Sequence, residues 1–454
     1  MSHSPDETRV FHRSLRASYP TVTGGEGSWL TGENGERYLD GSGGAAVAAL
    51  GHGNREVIAA IKAQLDRIAF AHTGSFTNEA AEELAAFLTD RAPEGISRAY
   101  LVSGGSEAVE AAMKLVRQYH MGRGDPERMY YIARWRSYHG NTLGALALGG
   151  NLVRRKPYED ILPGKVSHIA PCFAYRNKMQ GESDEDYALR SAHDLEEEIL
   201  RIGPERVAAF FAETVVGATA GAVPPAPGYF REIRRICDKY GILLVLDEVM
   251  CGMGRTGTLF ACEQDNVVPD MITIAKALGG GYQPIGGLLV QDKIVNVVRE
   301  ATGLFQHGHT YMGHAAAAAG ALAVQKIIAR DGLLEQVQEK GKTLMAMLRN
   351  RFADHPHIGD IRGRGLFIGV ELVQDRDSKE TFAPEDKLNV LIKQTAFDRN
   401  LLIYPGGGTA DGIRGDHILL APPFIITQDE MELLVDRLAS SLDEAIAQVN
   451  ARAV

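Results

Sequence analysis

Lys276 closes an apolar run, Met271-Ile272-Thr273-Ile274-Ala275, and is followed by Ala277-Leu278 and Gly279-Gly280-Gly281-Tyr282. Apolar surroundings disfavour an ammonium ion, so such a lysine keeps more free amine near neutral pH and condenses readily with carbonyls. Taken alone, a lysine snorkelling from a strand end is the simpler reading. A second apolar run, Ile242 to Leu246, delivers Asp247-Glu248-Val249. A carboxylate at that position needs a cationic partner. A protonated pyridine nitrogen fits, since the pairing makes the ring a better electron sink. An arginine or lysine of the chain fits equally well from this strand alone.

A third segment, Ser103-Gly104-Gly105-Ser106-Glu107, lies where a strand reading ends and a helical one begins. The backbone N–H groups of Gly105 and Ser106, with the Ser106 hydroxyl, could bind a phosphate there. A plain helix cap explains the same residues, and the spacing matches neither G-x-G-x-x-G nor a P-loop. Trp135-Arg136-Ser137-Tyr138-His139-Gly140 offers the flat ring of Tyr138 for stacking, and Gly308-His309-Thr310-Tyr311 offers the Thr310 hydroxyl. His307, His309 and His314 cluster without a carboxylate that would complete a zinc pattern, so no metal site is expected.

The elements that position these residues follow from periodicity. From about residue 73 to 330, apolar β-rich runs alternate with amphipathic helical ones, the pattern of an α/β fold with helices on both faces of a mostly parallel sheet. Strands are predicted over 98–103, 128–133, 207–212, 242–246, 271–274 and 287–290, and a helix over 107–119. Ligands of such sheets gather at the carboxyl ends of strands. Residues 331–454 change character: a charged helix, a turn at Arg362-Gly363-Arg364-Gly365, then a strand over 367–372. Residues 1–72 carry a hairpin around the turn at 32–35 that could join this C-terminal part in a smaller α+β domain. The predicted division is thus 1–72, 73–330 and 331–454. The run Ala315–Ala319 reads as helix packing.

Composition narrows the function classes. With 454 residues, 45% of them hydrophobic and 23% charged, the chain reads as a globular protein large enough for two cores. A net charge of −10 disfavours nucleic-acid binding and favours a small-molecule substrate. Met1 to His12 lacks the features of a targeting signal and no run of 18 apolar residues occurs, so a cytoplasmic protein without membrane contact is expected. Cys172, Cys237, Cys251 and Cys262 form no CxxC pair and are expected as buried free thiols.

In this order, the motifs resemble those of the class III aminotransferases, a pyridoxal-phosphate-dependent family of fold type I. The resemblance runs from Gly35-Glu36-Arg37-Tyr38-Leu39-Asp40 through the Ser-Gly-Gly-Ser-Glu-Ala turn, Tyr138-His139-Gly140, Asp247-Glu248-Val249, Gly254-Arg255-Thr256-Gly257 and Lys276 to Ala421-Pro422-Pro423. It implies pyridoxal 5'-phosphate held by Lys276 as a Schiff base. Gly105 and Ser106 would bind the phosphate, with Thr310 reaching it from the neighbouring subunit. Tyr138 and Val249 would flank the ring, and Asp247 would pair with its nitrogen. His139 and Glu213 belong to the same cofactor set, and Lys276, Asp247 and Tyr138 to the catalytic one. A homodimer with shared active sites is implied, with tetramers left open.

Substrates implied by the resemblance are an amine or ω-amino acid and a keto acid. Where relatives that favour 2-oxoglutarate often place a glutamate, this chain continues Glu213-Thr214-Val215-Val216-Gly217 with Ala218, which favours pyruvate. The carboxylate clamp falls to Arg414, the one arginine between Tyr404 and His417, at an offset unlike the family's. Gly44-Ala45-Ala46 stands where many members have a bulky aromatic, so the pocket widens at Ala46, with Tyr19 as the aromatic wall. The same scaffold also resembles some lyases, racemases and decarboxylases, which stay as the alternative.

Overall fold

The computed structural model describes residues 8–452. The expectation of no targeting signal in Met1 to His12 therefore lies, for residues 1–7, outside the described residues. An N-terminal meander is formed by β1 (Val22–Glu26), β2 (Trp29–Gly32) and β3 (Arg37–Asp40). A central group follows: β4 (Ile96–Val102), β5 (Tyr130–Arg134), β6 (Val166–Ile169), β7 (Val207–Glu213), β8 (Leu243–Asp247), β9 (Met271–Ile274) and β10 (Gly286–Gln291). The last are β11 (Ile358–Arg364), β12 (Phe367–Leu372), β13 (Leu401–Leu402), β14 (Tyr404–Gly407) and β15 (Asp416–Leu420).

The seven central strands make one sheet in the order β4-β10-β9-β8-β7-β5-β6. All its pairings are parallel except those of β10, which runs against both β4 and β9. The mostly parallel sheet expected from the alternation is thus present, with one reversed strand inside it. β7 and β8 are buried at every position. Helices cover both faces of such strands, which is why they read as unbroken apolar runs instead of alternating ones. Side chains still part by the two-residue period. Phe211 and Val245 join Val109 and Val116 of the helix Gly105–Gly122 in one core cluster. Phe210, Leu244 and Leu246 join Ile233 and Ile236 of Tyr229–Tyr240, and Leu195 and Ile199 of Asp184–Ile202, in another. Each such side chain contributes roughly 1.5–3 kcal/mol by leaving water. These two layers hold the ends of β7 and β8 in place, and there Glu213 and Asp247 stand opposite each other in register.

The remaining strands form two smaller sheets. β1-β2-β3 is extended by β13, which pairs parallel to β3, so the N-terminal hairpin joins the C-terminal part of the chain. The order β11-β12-β15-β14 makes the other sheet. One expectation changes: Arg362, Gly363 and Arg364 are not turn residues but continue β11, and the turn begins at Gly365 (φ 55°). The arginines fit a strand because neighbours accept their charge, Arg362 pairing with Glu371 at 2.5 Å and Arg364 with Asp265 at 2.7 Å. All four cysteines are free and buried, and Ala315–Ala319 lies in the helix Ala315–Arg330. Among the described residues no helix is long and apolar enough to cross a membrane.

Candidate active site

At the carboxyl ends of β7, β8 and β9 lies a cavity of about 280 Å³. Its lining includes Gly105, Ser106, Tyr138, His139, Glu213, Asp247, Val249 and Lys276, eight of the residues singled out from sequence. A larger depression of about 1100 Å³, on the outer side of the helix Gly105–Gly122, contains none of them.

Lys276 follows β9 with φ 50°, in the left-handed region, after Ala275 at φ −165° and ψ −147°. A non-glycine residue there costs on the order of 1–3 kcal/mol and persists only where its surroundings enforce it. The side chain keeps a partly accessible surface on the cavity, yet burial pushes its pKa down from 10.5 to about 8. The nearby charges of Asp247 and Glu213 oppose that shift, and Arg154 adds to it. The free amine expected from the apolar context therefore has a physical basis: desolvation outweighs two carboxylates.

Asp247 receives two hydrogen bonds, from His139 Nδ1 at 2.8 Å and from the Val249 backbone N–H at 3.0 Å. A carboxylate only accepts, so His139 carries its proton on Nδ1. His139 Nε2 is buried without a partner. Beside this pair, Glu213 accepts from the Tyr138 N–H at 2.9 Å and the Gly217 N–H at 2.8 Å. Burial raises the Glu213 pKa, and the charge of Asp247 raises it further while His139 opposes. Glu213 thereby fixes both the loop that carries Tyr138 and the turn that carries Ala218, another lining residue.

The helix Gly105–Gly122 points its N-terminus into the same cavity, and no side chain caps it. Ser106 Oγ donates to Asn141 Oδ1 at 3.1 Å and accepts from the Asn141 N–H at 3.2 Å, tying the helix start to the loop after Gly140. Space is tight here. A Cβ on Gly105 would come within 2.8 Å of Val249 Cγ1, and one on Gly140 (φ 136°) within 2.6 Å of Ser106 Oγ.

The other expected residues lie outside this lining. Tyr19 lies against His12 with ring centroids 4.6 Å apart and ring planes tilted by 36°. Ala46 is buried (φ 64°) beside the lining residue Ala45. Thr310 sits on an exposed turn. Arg414 is exposed and bound to Asp411, Nε to Oδ2, at 2.7 Å. Conversely, Arg13, Arg154, Met250 and Tyr404 line the cavity without having been singled out. Arg154 lies in a Leu152-Val153-Arg154-Arg155 stretch whose sequence resembles any short surface helix, so no signal marked it.

The arrangement can be tested for its fit to pyridoxal phosphate. A flat cationic ring needs two supporting faces and an anion at its nitrogen, which Tyr138, Val249 and the His139-held Asp247 can offer. A phosphate needs donors, which the uncapped helix start offers. The aldehyde needs an amine with a lowered pKa, as Lys276 has. The residues present fit the group.

Comparison with known proteins gives the same direction. A family model described as aminotransferase class-III matches residues 12–442. The chain is 48% identical to an uncharacterized aminotransferase of Schizosaccharomyces pombe, over 98% of this chain and 97% of that one. Among solved structures, a thermostable (S)-enantioselective omega-transaminase from Thermomicrobium roseum superposes with a TM-score of 0.88 at 36% identity, covering 94% of this chain and 93% of that one. The omega transaminase from Pseudomonas jessenii in complex with PMP gives 0.89 at 33% identity, covering 95% and 94%.

Proposed function

This chain belongs to the class III aminotransferases, and on that footing we propose that it moves an amino group from an amine or ω-amino acid to pyruvate, with Lys276 as anchor and proton carrier. The observation that carries this reading is Lys276 itself: a strained, largely desolvated lysine in one cavity with Asp247, Glu213 and Tyr138. When bound, pyridoxal phosphate supplies the aldehyde that accepts the amino group and a ring that draws electrons from the substrate α-carbon. Lys276 Nζ, a lysine with a lowered pKa facing the cavity, would hold the cofactor through its aldehyde and, when free, would serve as the base that moves the substrate α-proton. Asp247 would pair with the ring nitrogen, and His139 fixes the orientation of Asp247 by donating from Nδ1. Tyr138 and Val249 would flank the ring, and the N–H groups of Gly105 and Ser106 at the uncapped helix start would bind its phosphate.

Ala218 in the cavity lining leaves no added carboxylate beside the acceptor, which supports pyruvate over 2-oxoglutarate. We also propose a homodimer in which Thr310, exposed on its turn, completes the phosphate site of the partner. The division into 1–72, 73–330 and 331–454 is proposed on the sheets: the central one draws only on 96–291, while β3 pairs with β13.

The test is a donor and acceptor screen on purified protein, scoring new alanine from pyruvate and new glutamate from 2-oxoglutarate. Alanine is the expected product. Ammonia released without any acceptor would favour the lyase alternative, and no transfer across broad panels would sink the reading.

A further inference from the structure

The acids that line the cavity, Asp247 and Glu213, each already accept two protein hydrogen bonds. The cations that line it besides Lys276 are Arg13 and Arg154. Nearby arginines are otherwise engaged. Arg134 donates to the Glu213 carbonyl and Arg136 to the Ala410 carbonyl. Arg155 donates to the carbonyls of Leu146, Ala147 and Gly149 at the end of the helix Leu143–Leu148, and Arg414 is bound to Asp411. Arg154 is next to Arg155 on the short helix Leu152–Arg155 but differs from it. Among the described residues it has no ion pair and no side-chain hydrogen bond, and it is half-buried. Its guanidinium carbon lies 4.6 Å from the centroid of the Tyr138 ring.

A guanidinium steadied on an aromatic face, half-buried, facing a cavity and lacking a counter-charge is a receptor for a planar anion. The phosphate of the cofactor already has a helix N-terminus for partner. A substrate carboxylate does not. Arg414 could supply one only by giving up Asp411, and its loop is held by Ala410 against Arg136 and approaches, at Gly412, Leu152 of the short helix that also carries Arg154.

We infer that Arg154, with Arg13 adding positive charge, recognises the substrate carboxylate, so that this site selects carboxylate-bearing donors and acceptors over neutral carbonyls and diamines. The inference rests on the amino-transfer reading above and names its specificity residue. A second ammonium on a diamine donor would meet Arg154 and Arg13, and like charges at such range in a partly desolvated cavity repel strongly.

The experiment has two independent arms. In the first, the holoenzyme is titrated calorimetrically with L-lactate, an unreactive carboxylate shaped like pyruvate. Arg154→Met is expected to weaken lactate at least tenfold, with Arg154→Lys intermediate and pyridoxal phosphate affinity unmoved. In the second, the ratio of kcat/KM for pyruvate to that for propanal is measured with a common amine donor. Arg154→Met is expected to lower that ratio at least tenfold. Unchanged lactate affinity, equal losses on pyruvate and propanal, a loss of cofactor instead, or a ratio that falls only in Arg414→Met would each overturn the assignment. If the wild-type protein transfers no amino group, the amino-transfer reading fails, while the lactate arm still decides whether Arg154 binds a carboxylate.

Discussion

Asp247 and His139 face each other across 2.8 Å, both buried, with the imidazole donating from Nδ1 and its Nε2 left without a partner. The imidazole and the Val249 N–H together fix the direction in which the carboxylate faces the cavity. Asp247→Asn should lower amino transfer by roughly 10²–10³-fold, the scale of losing one aligned charge in a preorganised site. His139→Ala should cost about 10–100-fold, by analogy with other groups that orient a functional ligand. Equal, near-wild-type rates in both variants would remove Asp247 from the chemistry.

The lysine sets a pH dependence whose sign is fixed. With its pKa lowered from 10.5 to about 8, the folded chain binds fewer protons than the unfolded one between those values. Stability of the apoprotein attributable to this group therefore rises with pH through that window, by on the order of 3 kcal/mol, and is at its lowest below pH 8. Capture of pyridoxal phosphate by apoprotein, followed as growth of the visible band, should accelerate up to about pH 8 and level off. A rate still climbing toward pH 10, or a band retained in Lys276→Ala, would contradict the assignment.

Gly105 is required because a Cβ there would sit 2.8 Å from Val249 Cγ1. Gly105→Ala should weaken retention of the cofactor, since the helix start or Val249 must shift. Adding Val249→Ala should recover part of the loss. Additive losses in a double-mutant cycle would show that the two positions do not meet.

Glu213 accepts two N–H groups, from Tyr138 and Gly217. Glutamine offers one acceptor oxygen, so Glu213→Gln turns one N–H towards an NH₂. Leaving a buried donor unmatched costs about 1–3 kcal/mol. We expect pyridoxal phosphate affinity to fall roughly 5- to 150-fold on that scale, read by fluorescence titration of the apoprotein. Unaltered affinity would relieve Glu213 of its role in placing Tyr138.

Much of the fold was legible because the buried central strands announce themselves as apolar runs. β7, β8 and β9 were each found within a residue or so of their ends, and with them the positions of Asp247 and Lys276. The direction of β10 was not legible: its composition is that of any buried strand, and orientation depends on the connections. Nor could sequence separate Arg362 and Arg364 as strand residues, since their partners Glu371 and Asp265 lie elsewhere in the chain. Arg154 escaped notice for a related reason. Its distinction from Arg155 is the absence of a partner, and absences become visible only when every neighbour has been placed.

The left-handed backbone at Lys276 bears on how such a protein would respond to selection. A glycine would occupy φ 50° without strain and would bring no ammonium into the interior. Lys276→Gly should therefore give a chain that is inert yet melts later than the wild-type apoprotein. Passage through a screen for heat resistance alone would not retain the lysine at position 276, so its persistence in a living lineage would testify to turnover and not to fold. Backbone strain and the seat of the chemistry coincide in one residue.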